Sequence, residues 1–506
     1  MALPTPAEAA ALDLAARERW GIPERVLMED AGRGAALVLH RLFPTGRVVA
    51  VVGAGHNGGD ALVLLRSLRA WGRDVAFVRA SARLPDPAPL HGFDLPELPA
   101  DAAELALAGA GVLVDGILGT GSVGAPREPA ASLIRAMNAS GRPIVALDLP
   151  SGVDAAGGAV PGDAIEAAVT VTFGWPKLGL LLHPARDCCG RLIAVEIGFP
   201  PLAAGGAGAE LITPDWAAAR LPAREPTAYK RTSGRVLIVA GRPGMAGAAV
   251  IATEAAVRAG AGLVYIASAV ENRVVLQSSV PESIFRSRDE PAAFSSAPVD
   301  AVLLGPGAGS TDEAGPKTMA AALAATAGVP AVLDADALTW LAARDRSVLR
   351  ELAAARPLVL TPHPGEMSRL NGMSTEEIRA RPVETARAFA DETGCVVLLK
   401  GQPSIVAAPG QPVLVNTTGS SDVAAGGMGD QLAGTIVALL AAGADARSAA
   451  ALGLFYAGRA ADLAGRGRSL SPRHVSALLH EAYDHPGATS PPFGFAFVTF
   501  DQPPRR

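Results

Sequence analysis

The chain has 506 residues, more than one hydrophobic core spans, so length alone points to about two to four domains. Hydrophobic residues make up 49% and aromatics only 4%, which leaves Leu, Val, Ile and Ala to fill the cores. A net charge of −5 without basic runs argues against nucleic acid as a partner, and no apolar run is long enough to span a membrane.

Residues 6–42 read as two helices separated by Gly21-Ile22-Pro23, with Glu8 and Asp13 standing where a signal peptide would be basic. Val48-Val49-Ala50-Val51-Val52 is a β-branched run of the kind buried in parallel sheets. A glycine turn, Gly53 to Asp60, leads into a segment with Ala61, Leu64, Leu65 and Leu68 on one face, giving strand, turn, helix. The same grammar recurs, with strands predicted at 75–78, 112–115, 144–148 and 169–173. Strands alternating with helices imply a right-handed parallel sheet covered on both faces, with ligands gathering at the strands' carboxyl ends. Three clusters then share one edge: the 53–60 turn, Asp115 to Gly121, and Asp148 to Asp154. Asn57, Asp115 and Ser151 offer oxygen ligands there without a Cys or His partner, which suits a hard cation better than zinc. Each of the three alone is also an ordinary turn former or cap.

Cys188, Cys189 and Cys395 lack CxxC or zinc-type spacing, which fits a reducing, cytoplasmic setting. Gly198-Phe199-Pro200-Pro201, a low-complexity run at 203–209 and a stretch rich in proline and charge at 221–231 mark a boundary. The expected division is a first domain at 1–205, a linker at 206–226, a second α/β domain at 227–485 and an unassigned tail at 486–506 that carries an apolar patch at 493–500. In the second domain strands are predicted at 236–240, 264–267, 301–304, 332–334, 358–361, 396–399 and 404–407.

The chemistry of this second domain gathers on Gly426-Gly427-Met428-Gly429-Asp430, which runs into Leu432, Ile436, Leu439 and Leu440 at one-face helical spacing. A helix start exposes free N–H groups and the positive end of its dipole, and glycines let a phosphate come close to both. Asp430, in the first turn, stands where a carboxylate could accept a proton from an attacking hydroxyl. By itself the pentapeptide also reads as a plain glycine-rich turn. Four features accompany it. Gly305-Pro306-Gly307 follows a strand and lets backbone approach a ligand. Thr361 to Glu366 follows another, with two prolines holding His363 in an extended turn. Lys400 to Ser404 follows a third, with an ammonium and a hydroxyl beside the phosphate path, and Asp334 and Asp336 close a fourth, to reach a magnesium ion or cap a helix. Together they point to nucleotide-dependent phosphoryl transfer, and the absence of GxxxxGK[ST] excludes a P-loop.

At these residues the second half resembles the ribokinase-like dehydratases that repair hydrated NADH and NADPH. The matching motifs are Gly247-Ala248-Ala249, Arg258 to Val264, Thr361 to Glu366, Lys400-Gly401 and Gly426 to Asp430. The first half is similar to the partner epimerase, through Asn57-Gly58-Gly59-Asp60, Gly119-Thr120-Gly121, Asp148 with Pro150 to Val153, and Pro176 to Leu180. A fusion in this order, over residues 5–484, resembles the bifunctional NAD(P)H-hydrate repair enzymes. The resemblance implies a Rossmann-like N-terminal sheet and a ribokinase-like C-terminal α/β domain. It implies epimerisation of (6R)- and (6S)-NAD(P)HX, and dehydration of the 6S form with ADP and Mg2+, yielding AMP and phosphate.

By the same resemblance Asn57, Asp115 and Ser151 would hold a potassium ion. His56, Asn57, Gly58, Gly59, Asp60, Gly119, Thr120, Gly121, Ser122, Val123, Gly124, Ala125 and Asp148 would hold the hydrate in the epimerase half, with Asp148 as acid–base. In the dehydratase half Ala248, Gly307, His363 and Asp430 would touch the hydrate, with Asp430 as base, while Lys400, Gly401, Gln402, Pro403, Ser404 and Gly429 would hold the nucleotide. A homo-oligomer is expected. The chain departs from the family at His56 and Asp30, where Asn is usual, at Ser420-Ser421, where Asn-Pro is common, and at Arg231, where a glycine follows the lysine.

Three other readings stay open. A small-molecule kinase of the ribokinase superfamily shares the cradle and base, although the fused first half and the His363 turn argue against it. A dehydrogenase is suggested by Gly53, Gly55 and Gly58, which spell GxGxxG, with Arg79 in place of the usual acidic residue. The last is a catalytically silent scaffold of two α/β domains.

Overall fold

The computed structural model describes residues 1–85, 90, 92–99, 103–200, 207–227, 229–230, 233–295, 297–310, 314–487 and 498–504. Packing divides the chain into two units, Met1–Ala209 together with Thr489–Arg505, and Glu210–Ala488.

The first unit opens with the two expected helices, Pro6–Glu18 and Glu24–Leu42. Its strands are β1 (Val48–Val52), β2 (Val75–Arg79), β3 (Glu97–Leu98), β4 (Val112–Gly116), β5 (Ile144–Leu147), β6 (Val169–Phe173) and β7 (Arg191–Val195). They lie parallel in the order β7-β6-β5-β4-β1-β2-β3. Every residue of β1 is buried, as the unbroken Val/Ala run requires of a strand with both faces covered. The chain leaves β1 for β2 on one side and returns to β4 on the other, so the turns after β1 and β4 flank a topological switch point. Register places Asp115 beside Val51 of β1 and Ala146 of β5, which brings the ends of three strands to one edge.

In the second unit the strands are β8 (Ala209–Leu211), where the unit begins, β9 (Arg235–Val239), β10 (Leu263–Ser268), β11 (Ile284–Ser287), β12 (Ala301–Leu304), β13 (Ala331–Leu333), β14 (Leu358–Leu360), β15 (Val396–Leu399), β16 (Ser404–Ala407) and β17 (Val413–Asn416). The sheet runs β11-β10-β9-β12-β13-β14-β15-β16-β17-β8, parallel from β11 to β15 and antiparallel from β15 to β17. A second switch point lies between β9 and β12, whose following turns are tied by Gly241 N–H to the Pro306 carbonyl (2.9 Å) and Arg242 N–H to the Gly307 carbonyl (2.6 Å). Helix Met428–Ala441 is buried from Gln431 to Ala441, so its apolar spacing marks not one face but an all-round core position.

Two stretches differ from their sequence reading. Within the expected linker at 206–226 the chain forms β8 and a helix, Pro214–Ala218, capped by Thr213 and anchored by buried Trp216. The tail at 486–506 had no assignment; its strand β18 (Val498–Gln502) joins the first unit's sheet antiparallel to β7. Arg191 Nε donates to Asp501 Oδ1 at 2.8 Å, a contact between residues 310 positions apart that no local pattern announces. Most of the apolar patch at 493–500 lies outside the described residues. Among the described residues no helix is long and apolar enough to cross a membrane.

Candidate active sites

In the first unit the strand-end turns line a cleft of about 1020 Å³. Close packing explains its glycines: a Cβ on Gly53 would lie 1.9 Å from the Ile117 carbonyl oxygen, and one on Gly58 2.1 Å from that of Gly53. GxGxxG here lets a helix start press against a strand end and the neighbouring turn. Arg79 forms an ion pair with Glu97 (2.6 Å).

Asn57, Asp115 and Ser151 are brought together. Ser151 Oγ donates to Asp115 Oδ1 (2.6 Å) and accepts from Leu118 N–H (2.9 Å), while Ser151 N–H donates to Asp115 Oδ2 (2.7 Å). Asn57 Nδ2 donates to the Leu118 carbonyl at 2.7 Å, and its Oδ1 is buried without a hydrogen-bond partner. Burial pushes the Asp115 carboxyl up to about 6 despite its bonds from Ser151. An orphaned oxygen beside a buried carboxyl fits an oxygen-coordinated cation, which would supply the positive charge both lack.

His56, Asn57, Asp60, Gly119, Thr120, Gly121, Ser122 and Asp148 all line the cleft. Gly58 and Gly59 are buried in the helix start, Val123 is 96% exposed, and a Cβ on Gly162 would meet Ala125, so these positions shape the loops around it. Gly124 holds a left-handed turn at φ 79°. His56 reaches Glu24 at 2.9 Å. Asp148 follows β5 in the left-handed region, φ 61°, and accepts Lys177 Nζ at 2.5 Å. Lys177 and Asp13, which the sequence reading did not assign to the site, also line the cleft. Burial pushes Asp60 well above the usual carboxyl range, and the charge of Asp148 adds to it.

In the second unit Lys400, at the end of β15, donates to Asp334 Oδ1 at 2.7 Å, and Thr361 Oγ1 donates to the same oxygen at 2.8 Å. Burial alone would lower the Lys400 ammonium; Asp334 and Glu366 outweigh it and raise it. Asp430 stands in the first turn of helix Met428–Ala441, which follows Gly427, φ 83°. Burial, then the charge of Asp334, pushes its carboxyl up to about 7, with Lys400 opposing. Among the described residues the N–H groups of Gly429 and Asp430 have no protein acceptor, and a Cβ on Gly429 would lie 3.1 Å from Lys400 Nζ. The helix start, its two free amides and the ammonium therefore form one cradle.

His363 caps helix Pro364–Asn371: Nδ1 accepts from the N–H of Gly365 (3.0 Å) and Glu366 (3.3 Å), which leaves the ring proton to Nε2. Glu366 closes the capping box on His363 N–H at 2.8 Å and lies within the field of Lys400, which links this turn to the cradle. Ala248 and Gly307 meet, since a Cβ on the glycine would lie 3.1 Å from that of Ala248. Lys400 to Ser404 form the turn between β15 and β16, closed by Ser404 Oγ on the Gly401 carbonyl at 2.8 Å, with Gln402 and Pro403 at its tip. Asp336 opens helix Asp336–Ala342 without a side-chain cap bond to it; its carboxylate instead accepts Gly309 N–H (2.8 Å) and Ser310 Oγ (3.0 Å), fastening the turn after β12. No group of three His, Cys, Asp or Glu placed to hold a metal occurs among the described residues.

Residues 236–480 match the family described as NAD(P)H-hydrate dehydratase, and residues 24–179 match the YjeF-related protein N-terminus. The bifunctional NAD(P)H-hydrate repair enzyme Nnr of Moorella thermoacetica is 38% identical, over 95% of each chain. That of Salinibacter ruber is 37% identical, over 88% of this chain and 89% of its own. Among solved structures, an ADP/ATP-dependent NAD(P)H-hydrate dehydratase from Bacillus subtilis, co-crystallized with ATP/Mg2+, is 28% identical with a TM-score of 0.49, covering 54% of this chain and 96% of its own. With both halves matched and near-full-length relatives well above 30% identity, the chain belongs to the bifunctional NAD(P)H-hydrate repair enzymes.

Proposed function

We propose that the chain repairs hydrated nicotinamide cofactors at two active sites, with epimerisation in Met1–Ala209 and dehydration in Glu210–Ala488. The observation that carries this reading is the dehydratase cradle: a carboxyl pushed up to about 7, two unbonded amides and Lys400 beside them. Hydroxide is a poor leaving group, so the C6 hydroxyl must be converted before it departs. Asp430 takes the hydroxyl proton as that oxygen attacks the terminal phosphorus of ADP and the bond to AMP breaks. The amides of Gly429 and Asp430 and the Lys400 ammonium neutralise the moving phosphoryl group. The N1 lone pair then expels phosphate, and loss of a C5 proton completes the double bond of NADH or NADPH. Ala248, Gly307 and His363 hold the hydrate, and Lys400 to Ser404 with Gly429 hold the nucleotide. Mg2+ would be held chiefly by the phosphates of ADP and would supply further positive charge to them, in keeping with its preference for few protein ligands.

In the epimerase half Asp148 takes the C6 hydroxyl proton as the C6–N1 bond breaks, its electron pair moving onto N1 and into the conjugated carboxamide. The proton passes to N1, the freed aldehyde turns about C5–C6, and reversal closes the ring on the other face. Asn57 Oδ1, Asp115, Ser151 and the Leu118 carbonyl would hold potassium, which supplies a fixed positive charge beside the 119–125 loop. Burial pushes the Cys189 thiol up to about 12 and Cys395 to about 11, as suits inert thiols in a reducing cytoplasm. Exposed Val270, Val274, Val275 and Ile284 near the β11 edge support assembly of like chains.

The test is direct. Incubated with ADP, Mg2+ and a mixture of both NADHX epimers, the protein should restore NADH absorbance; no recovery would defeat the reading.

A further inference from the structure

Four carboxyls, Asp13, Glu24, Asp60 and Asp148, line the first unit's cleft, and of these Lys177 bonds Asp148 alone among the described residues. The geometry of that bond is one-sided. Asp148 Oδ1 accepts Lys177 Nζ at 2.5 Å, Thr172 Oγ1 at 3.2 Å and Phe173 N–H at 3.3 Å. Oδ2 has no hydrogen-bond partner among the described residues, and the residue faces the cleft. The lysine is equally committed. Its three N–H groups go to Asp148, to Thr172 Oγ1 at 3.3 Å and to the Phe173 carbonyl at 3.1 Å, and its side chain is only 6% exposed. With no proton left to offer, Lys177 cannot act on substrate itself. Asp148 moreover sits in a left-handed backbone conformation, which a non-glycine residue keeps only where its surroundings fix it.

We infer that Lys177, with Thr172, is the positioning residue of the epimerase: it fastens one oxygen of Asp148 so that the other alone meets the C6 hydroxyl. This rests on the epimerase reading above. The pair divides a carboxylate into a held half and a working half, and rate follows from keeping the working oxygen aimed at one point. The effect belongs in turnover and not in hydrate binding.

Lys177→Met should lower the epimerase kcat about 100-fold with KM for the hydrate within about twofold, and Lys177→Arg should recover about a tenth of the wild-type rate. Thr172→Val, which keeps the charge, should lower kcat roughly tenfold. Dehydration of the 6S epimer by the same chains, unchanged within about twofold, reports that they are otherwise intact. Wild-type kcat in Lys177→Met overturns the inference, as does a loss that falls on KM or that arginine does not relieve. Should Lys177→Met fail to fold, Thr172→Val decides, and an unchanged kcat there overturns it. A wild-type chain that epimerises nothing would instead refute the underlying reading, so the two failures are distinguishable.

Discussion

Both units set a lysine–aspartate pair at the carboxyl edge of a parallel sheet, and they use it differently. In the first unit Lys177 and Asp148 stand 2.5 Å apart, and the paired carboxylate belongs to a residue that lines the cleft and leaves Oδ2 without a hydrogen-bond partner among the described residues. In the second, Lys400 and Asp334 stand 2.7 Å apart, but Asp334 is buried and also holds Thr361; the group left without an ion-pair partner among the described residues is Asp430. On the proposed mechanism one site draws its base from inside the pair, the other from a helix start beside it. The difference teaches that a buried ion pair is not a role: what matters is which oxygen it leaves free and what that oxygen meets.

Substitutions at the two bases break the comparison most sharply. Asp430→Asn should cut NADH recovery about 1000-fold or more while epimerisation, followed by the interconversion of the two hydrates, stays unchanged. Asp148→Asn should do the reverse, slowing epimerisation about 100-fold or more and sparing dehydration of the 6S form. The oxygen cluster comes next. Asn57→Ala removes the orphaned acceptor, so half-maximal epimerase activity should need about tenfold more potassium, while the dehydration rate stays within about twofold.

pH sharpens the contrast from the dehydratase side. If Asp430 acts as the proposed base, with its carboxyl pushed up to about 7, the dehydration rate should climb roughly tenfold from pH 6 to pH 8. The linked stability runs the other way. Its folded value lies above the ordinary carboxyl value of 3.8, so the fold retains a proton that the unfolded chain gives up, and stability of the second unit should fall as pH rises from about 4 to about 7. Asp430→Asn should abolish that decline and raise the melting midpoint at pH 8 by about 2–4 °C; an unaltered pH slope would count against the buried carboxyl. The smallest catalytic effect belongs to the tail. Deleting Thr489–Arg505 removes β18 and the Arg191–Asp501 pair, which should cost the first unit about 2–4 kcal/mol in thermal unfolding and leave the dehydratase rate within about twofold.

Much of the fold could be read because parallel strands buried on both faces declare themselves as short apolar runs: β1, β6, β12, β15 and β16 carry the predicted bounds. The strand-end rule likewise gathered Asn57, Asp115 and Ser151 before any coordinates. What stayed hidden depends on distant chain. β18 pairs with β7 across more than half the sequence, and β3 is two residues long. The helix Met428–Ala441 reads as one-faced because small or polar residues such as Gln431, Ala433, Gly434 and Thr435 occupy its other sides, and small residues there mark close packing as readily as exposure. Lys177 lay within a quoted motif, yet its purpose needs the turn of Asp148 to be known. Asp336 illustrates the residual ambiguity of carboxylates: one spacing suggests ligand and helix cap alike, whereas the carboxylate fastens the Gly309–Ser310 turn, a contact with a distant strand end.

The claim that two independent sites serve one damaged coenzyme is tested most directly by complementation. A mixture of both NADHX epimers, with ADP and Mg2+, is given to Asp148→Asn chains, to Asp430→Asn chains, and to the two combined. The first should show a fast phase ending at the 6S share, the second no NADH, and the combination full recovery at the wild-type extent. A combination that recovers no more than Asp148→Asn alone would contradict it.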